Sequence, residues 1–227
     1  MAVLDIKLLR DLRRLWAQAL AISLVIAGGV ATLVLAVGSH RSLDQTRAAY
    51  YERYAFADVF AVVRRAPKTL VNQIAEIPGV AAVDARIAKL ALLDIPNFRE
   101  PASGQFISLP DIGAPALDRL HLRVGRMPEP ESPSEVVVNE NFANAHAFAP
   151  GARFSALLNG RKRELVIVGI ALSPEFIYTT GPGDIMPDDR RFGVIWMSEK
   201  TLASVYDLDG AFSSVNLKLL RDASERD

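Results

Sequence analysis

In 227 residues, 26 Lys and Arg balance 26 Asp and Glu, and a chain without net charge gives no electrostatic reason to expect a nucleic-acid partner, which demands a basic face. Half of the residues are hydrophobic, too many for a disordered chain. There is no cysteine, so disulfides, thiolate zinc sites and cysteine nucleophiles are excluded together, while the compartment stays open.

Residues 1–14 place Leu4, Leu8 and Leu12 at helical spacing with Leu15, and Lys7, Arg10, Arg13 and Arg14 fall mostly elsewhere. The pattern predicts an amphipathic lead-in helix on the cytoplasmic side, its basic side suited to anionic lipid. Residues 15–38 follow as a transmembrane helix, because no Lys, Arg, Asp or Glu occurs from Leu15 to His40. As a helix the span is about 36 Å long against a hydrocarbon thickness of about 30 Å. Its eleven Leu, Ile and Val residues favour insertion by about 5 kcal/mol at roughly −0.5 kcal/mol each. Trp16 stands where an interfacial aromatic belongs, and Gly28, Gly29 and Thr32 form a small-residue stretch for packing against a second helix. A cleaved signal peptide with "AVG" at 36–38 as its cleavage site is the competing reading, but signal cores run only about 7 to 15 residues. A buried soluble helix would have to be covered on all sides. The positive-inside rule puts the N-terminus in the cytoplasm by a small margin, since Arg41, Arg47 and Arg53 stand on the other flank.

No Gly or Pro breaks 39–56 after Gly38, so the helix is expected to continue outward as a stalk. An exported domain is expected over 57–221. In it "ADVFAVVRRA" reads as a strand and "PKTLVNQIAEIPGV" as a helix opened by Pro67 and stopped at Pro78-Gly79. "VAAVDARIAKLALLDI" reads as one or two further strands. Seven of the thirteen prolines fall between Pro96 and Pro133, which predicts a connector and a subdomain junction near 96–133. "SEVVVNENFANAHAF" reads as a strand running into a helix. "PGARFSALLNGRKRELVIVGI" reads as a hairpin about Asn159-Gly160, because both central residues of a type I′ turn need positive φ. "RFGVIWM", the helix "SEKTLASVYDL" and the strand "AFSSVNLKLL" close the domain, and 222–227 is a charged tail. The fold class is α+β: one N-terminal transmembrane helix with its stalk, then a domain of two subdomains. One is a strand-helix-strand layer and the other a β-rich part containing the hairpin.

Chemical templates fail one after another. His40, His121 and His146 are scattered, and none is read as having a carboxylate or second His at ligand spacing, so no metal is assigned. No G-x-S-x-G elbow, S-x-x-K or P-loop is present. "TTGPGDIMPDDRRFG" at 179–193 gathers two internal glycines, three aspartates and two arginines, yet it lacks the dinucleotide fingerprint and the D-x-D-x-D-G order of a calcium loop. It is expected to be a structural or partner-contacting loop stiffened by Pro182 and Pro187. Phe176, Ile177 and Tyr178 beside it are the candidate partner contact, since aromatics at a loop edge make good anchors. The alternative is that they fill the core between the hairpin and "FGVIWM".

The run from "GR" at 125–126 through "SEVVVNE" and "PGARF" to "NGR" and "IVGIALSP" resembles, in that order, the MacB-like periplasmic core domain of FtsX-like/MacB-type ABC transporter permease subunits. The basic lead-in and single apolar span resemble the first membrane helix of the same family, so the resemblance covers most of 1–221. It implies a non-catalytic permease in the bacterial inner membrane with its main domain in the periplasm and no cofactor. The implied partners are the lipid bilayer, a second permease subunit, a separate ATPase subunit and an adaptor protein. It also implies three further membrane helices after the domain, and the sequence has none, so the chain is expected to be either the amino-terminal part of a longer one or a chain that has lost its transport half. From the residues alone, a single-pass membrane-anchored ligand-binding or sensor module stands beside this reading. An exported enzyme stands behind both, because no catalytic constellation is present.

Overall fold

The structure is a computed structural model that describes Arg10 and residues 15–220. The lead-in helix expected over 1–14, Arg10 apart, and the tail at 222–227 lie outside the described residues.

Helix α1 runs unbroken over Trp16–Arg53, 38 residues, as expected where no proline interrupts. It is long and apolar enough to cross a membrane. Leu24, Val25 and Leu35 are 64%, 76% and 69% exposed, so no described residue covers these apolar side chains. Thr32 Oγ1 donates to the Gly28 carbonyl at 2.9 Å, which satisfies that hydroxyl within the helix, as a hydrocarbon environment requires. A Cβ built at Gly28 or Gly29 meets nothing within 4 Å, so that side of the helix stands open.

From Tyr51 onward the chain forms a unit of its own containing two sheets. The smaller holds β1 (Val59–Pro67), β2 (Val80–Arg86) and β10 (Ala211–Leu219) in the order β1-β10-β2, every pair antiparallel. The last strand of the chain therefore lies between the first two, which run parallel to each other on either side of it. Helix α2 (Leu70–Ala75) crosses one face. Alternation at period two sends Val83, Ala85, Val215 and Leu217 to that face, where they pack with Leu70, Val71 and Ile74. The opposite face carries Phe60, Val62, Asp84, Arg86, Ser214 and Asn216.

The larger sheet contains β3 (Ala88–Asp94), β4 (Ala102–Leu109), β5 (His121–Gly125), β6 (Glu135–Asn139), β7 (Arg153–Leu158), β8 (Arg161–Leu172) and β9 (Phe192–Ser198). Its order is β5-β8-β6-β9-β4-β3-β7, and β7 also pairs with β8, so six of the seven strands close into a barrel. The 12-residue β8 makes closure possible. Its first half, Arg161–Val166, takes β7, and its second half takes β6 on one edge and β5 on the other. Asn159 and Gly160 join β7 to β8 with φ of 47° and 76°, the positive pair that a type I′ turn requires. Inside the barrel Phe106, Val136, Phe154, Leu165, Ile195 and Met197 form one core. It is plugged by Phe142 on α3 (Glu140–Ala145) and Leu202 on α4 (Glu199–Tyr206). Ser198 caps α4, its side chain accepting from the Thr201 backbone N–H at 3.3 Å. The intervening residues of β9, Val194 and Trp196, point outward into a second core with Ile107 and Val137.

The architecture is α+β, with the small sheet and the hairpin-bearing β-rich part both present. The chain passes between the sheets at Ile87 and again between α4 and β10; the strands within 96–133, β4 and β5, pair in the larger sheet, while Asp118 and Arg119 donate to the Ala55 and Tyr54 carbonyls just before the smaller one. The prolines of that stretch bound a strand: Pro101 and Pro110 flank β4, a central strand paired with β3 and β9. Likewise Pro67 ends β1, and the helix after it begins only at Leu70.

Candidate functional site

Between the helix-free face of the small sheet and the outer wall of the barrel lies a cleft of about 510 Å³, within the range of small-ligand sites. Phe56, Phe60 and Val62 form one wall, Ile107 and Phe192 the other, and Phe176, Tyr178 and Thr179 close the end. Phe60 and Val62 reach it because β1 alternates, and Phe176 because β8 ends at Leu172 and the chain turns back there: Ser173 Oγ accepts from Glu175 N at 3.3 Å.

Two charged groups in the cleft are nearly buried. Arg86 on β2 and Glu175 after β8 form an ion pair, with Arg86 Nη2 donating to Glu175 Oε1 at 2.5 Å and Oε2 at 2.6 Å. Their side chains keep only 10% and 15% of their exposure. The pair ties the small sheet to the barrel across the base of the cleft. Behind it, Asp118 accepts from Ala57 N at 3.1 Å and from Asn216 Nδ2 at 2.6 Å, which holds the start of the small sheet to its central strand. Burial pushes the Glu175 carboxyl above the usual carboxylate range, against the attraction of Arg86. Burial also raises Asp84, Arg86 and a hydrogen bond from the Leu117 backbone again opposing. Two carboxylates, Glu175 and Asp84, thus share one guanidinium. Arg86 Nε and Asn216 Oδ1 are buried with no partner among the described residues.

The three residues singled out in the sequence separate. Phe176 lies edge-on to Trp196 at 6.2 Å between ring centroids and packs on the outer barrel core, whereas Ile177 and Tyr178 are 43% and 83% exposed. Phe176→Ala is therefore expected to cost about 2 kcal/mol, below the range for a fully buried Phe. Tyr178→Ala should fall within about 0.5 kcal/mol of wild type, as exposed positions do. Urea unfolding of the two variants checks both values, and equal losses would contradict the division.

Segment 179–193 is held by its own polar groups. Asp184 N donates to the Gly181 carbonyl at 3.0 Å, and the Asp188 carbonyl accepts from Arg191 N and Phe192 N. Asp188 Oδ1 accepts from Arg190 N at 3.0 Å, and Thr179 Oγ1 donates to Asp189 Oδ1 at 3.4 Å. Two of the three aspartates are thus turned to loop geometry, and Ile185 and Met186 stand at the tip, 98% and 76% exposed. His146 braces the loop by its contact with the Arg190 carbonyl at 2.8 Å and stacks on Phe148. One histidine differs from the sequence reading: His40 Nδ1 lies 2.8 Å from Asp44 Oδ2, one helical turn on. Two such groups do not make a metal set, and among the described residues no three His, Asp or Glu side chains are placed to hold an ion.

The Arg86–Glu175 pair escaped sequence reading because its members are 89 positions apart. The one available signal was a pair of charged residues, Asp84 and Arg86, on a strand otherwise of small and apolar residues, "VAAVDAR".

No protein-family model matches the chain, and no curated protein matches it in sequence. Among solved structures, the periplasmic region of MacB from Actinobacillus actinomycetemcomitans is 13% identical, with 74% of this chain and 70% of that one covered and a TM-score of 0.41. The extracellular domain of the ABC-type transporter YknZ from Gram-positive bacteria is 11% identical over 71% of this chain and 76% of that one, with a TM-score of 0.43. The likeness is a loose one.

Proposed function

We propose that the chain is the first membrane helix and periplasmic domain of a non-catalytic permease subunit of a bacterial ABC transporter. The observation that carries this reading is α1. An apolar helix with side chains that no described residue covers, and which continues without a break to Arg53, suits a span at 15–38 prolonged by a stalk at 39–56. The ordered motifs of the barrel, from Gly125 to Pro174, support the family. In this reading the N-terminus is cytoplasmic, 57–221 lies in the periplasm, and Gly28, Gly29 and Thr32 face a neighbouring helix. A second permease subunit pairs with this one, and a separate ATPase supplies the hydrolysis. The periplasmic domain transmits the resulting motion, or handles substrate, with an adaptor protein; export and lipid or lipoprotein handling are the roles it serves.

The absence of cysteine makes the topology directly testable. In intact cells a membrane-impermeant maleimide is expected to label Ser132→Cys, and to label Ala2→Cys only after permeabilisation. The reverse pattern sinks the reading. The cleft also suits a single-pass anchored ligand-binding module. Recovery of an ATPase with the chain from membranes distinguishes the permease from that alternative.

A further inference from the structure

The small sheet has a free edge beside the cleft. In the order β1-β10-β2, strand β1 pairs on one side only, and every residue from Phe60 to Arg65 is exposed, so no described residue covers it. Natural sheets guard such edges with charges, prolines and bulges. Here the guards are unevenly placed. Arg64, Arg65, the register break between Val62 and Ala66, and Pro67 all lie in the second half of β1. The first half, Val59–Val62, has none, and this is the half whose side chains line the cleft: Phe60 is 43% exposed and Val62 85%.

We propose that Val59–Val62 is a docking edge for an extended peptide segment of a partner protein, which adds to the sheet as a fourth strand. Strand addition uses main-chain hydrogen bonds for affinity and pockets for alternate side chains for specificity. The free backbone of β1 supplies the first and the cleft the second. Because side chains of an extended strand alternate, every second residue of the segment faces the cleft and must be apolar. The aromatic lining of Phe56, Phe60 and Phe176 favours a Phe, Val or Ile there. The exposed Arg64 and Arg65, with Lys89 Nζ 3.5 Å from the Arg64 carbonyl, make the neighbouring surface basic, so the segment carries acidic flanks. This assignment stands apart from the permease reading, since it needs only the domain.

The test uses the full chain in lipid nanodiscs and a fluorescein-labelled heptapeptide of alternating Val or Phe and Thr with Glu at each end, followed by anisotropy against empty nanodiscs. Saturable binding is expected. It should weaken at least tenfold when alternate peptide nitrogens are methylated along one edge, which removes pairing without touching the protein. It should weaken at least tenfold again with Val62→Glu, an exposed position where a folding defect is not expected. Binding that survives methylation, or no saturable binding, overturns the proposal. So does dimerisation of the chain that Val62→Glu abolishes, which would make a second copy the occupant of this edge.

Discussion

Phe142→Ala is expected to lower the stability of the domain by on the order of 4 kcal/mol, within the range for deleting a fully buried aromatic. Phe142 has no exposed surface and plugs the barrel core. Its ring lies edge-on to His146 at 4.9 Å, Phe148 at 5.9 Å and Phe154 at 6.5 Å, so an aromatic contribution is lost beyond the buried area. The far side of the ring rests on Gly193, where a Cβ would stand 2.7 Å from the ring carbons. Glycine has no side chain with which to fill the vacated space, and strand β9 is held on both edges by β4 and β6. The hole therefore stays open, and the cavity penalty adds to the lost transfer energy. Urea unfolding followed by Trp196 fluorescence in a Trp16→Phe background measures the loss. A cost below about 1 kcal/mol would mean that the barrel wall collapses inward.

The second large effect belongs to the Arg86–Glu175 pair. Arg86→Met leaves a carboxylate nearly buried without its counter-charge and is expected to cost about 3–5 kcal/mol, the usual result of breaking a buried pair from one side. Arg86→Met with Glu175→Leu removes both charges and should return to within about 1 kcal/mol of wild type or exceed it, because the desolvation of two ions disappears with them. A double variant as damaged as the single one would show that the pair positions the lobes in a way apolar packing does not replace. Stability should also depend on pH with a definite sign. Glu175 and Asp84 both have raised carboxyl pKa values, burial being the main cause. Between the ordinary carboxylate range and their raised values the folded state holds more protons than the unfolded one. The contribution of this cluster is therefore greatest on the acid side of that window and falls as pH rises through it. Asp84→Asn should flatten the slope of urea midpoint against pH above the ordinary carboxylate range, and an unchanged slope would exclude Asp84 as a source.

Local elements were legible because their signals are local. Asn159-Gly160 dictates its hairpin through backbone conformation alone, and the absence of proline across 39–53 is enough to keep α1 continuous. "SEVVVNENFANAHAF" changes period from two to 3.6 where β6 gives way to α3. Strand β4 was hidden, since "ASGQFISL" is short, holds Gly and two Ser, and sits among prolines. It is a strand only because β3 and β9 pair with it. Proline density across 96–133 reports turns for a related reason: the turns there flank β4 and β5, strands of the larger sheet. The cleft was half visible. Phe176 and Tyr178 marked one end of it, but its base joins residues from β2, β10 and two loops, and no periodicity connects positions 86, 118, 175 and 216. Gly193 shows the same limit, because its reason for being glycine is a phenyl ring some fifty positions earlier in the chain.

The central position of β10 also sets a clock. Strands β1 and β2 leave the ribosome early, but the strand that joins them follows only after Arg86 has been separated from Ala211 by the whole barrel. At about 5–20 residues per second this interval lasts roughly 6 to 25 s. During it both strands present two unpaired edges rather than one, with Phe60 and Val62 uncovered and Phe212 and Val215 not yet made. A holdase acting on the nascent segment would bridge those seconds, and a slowly translated barrel would lengthen them without altering the finished fold.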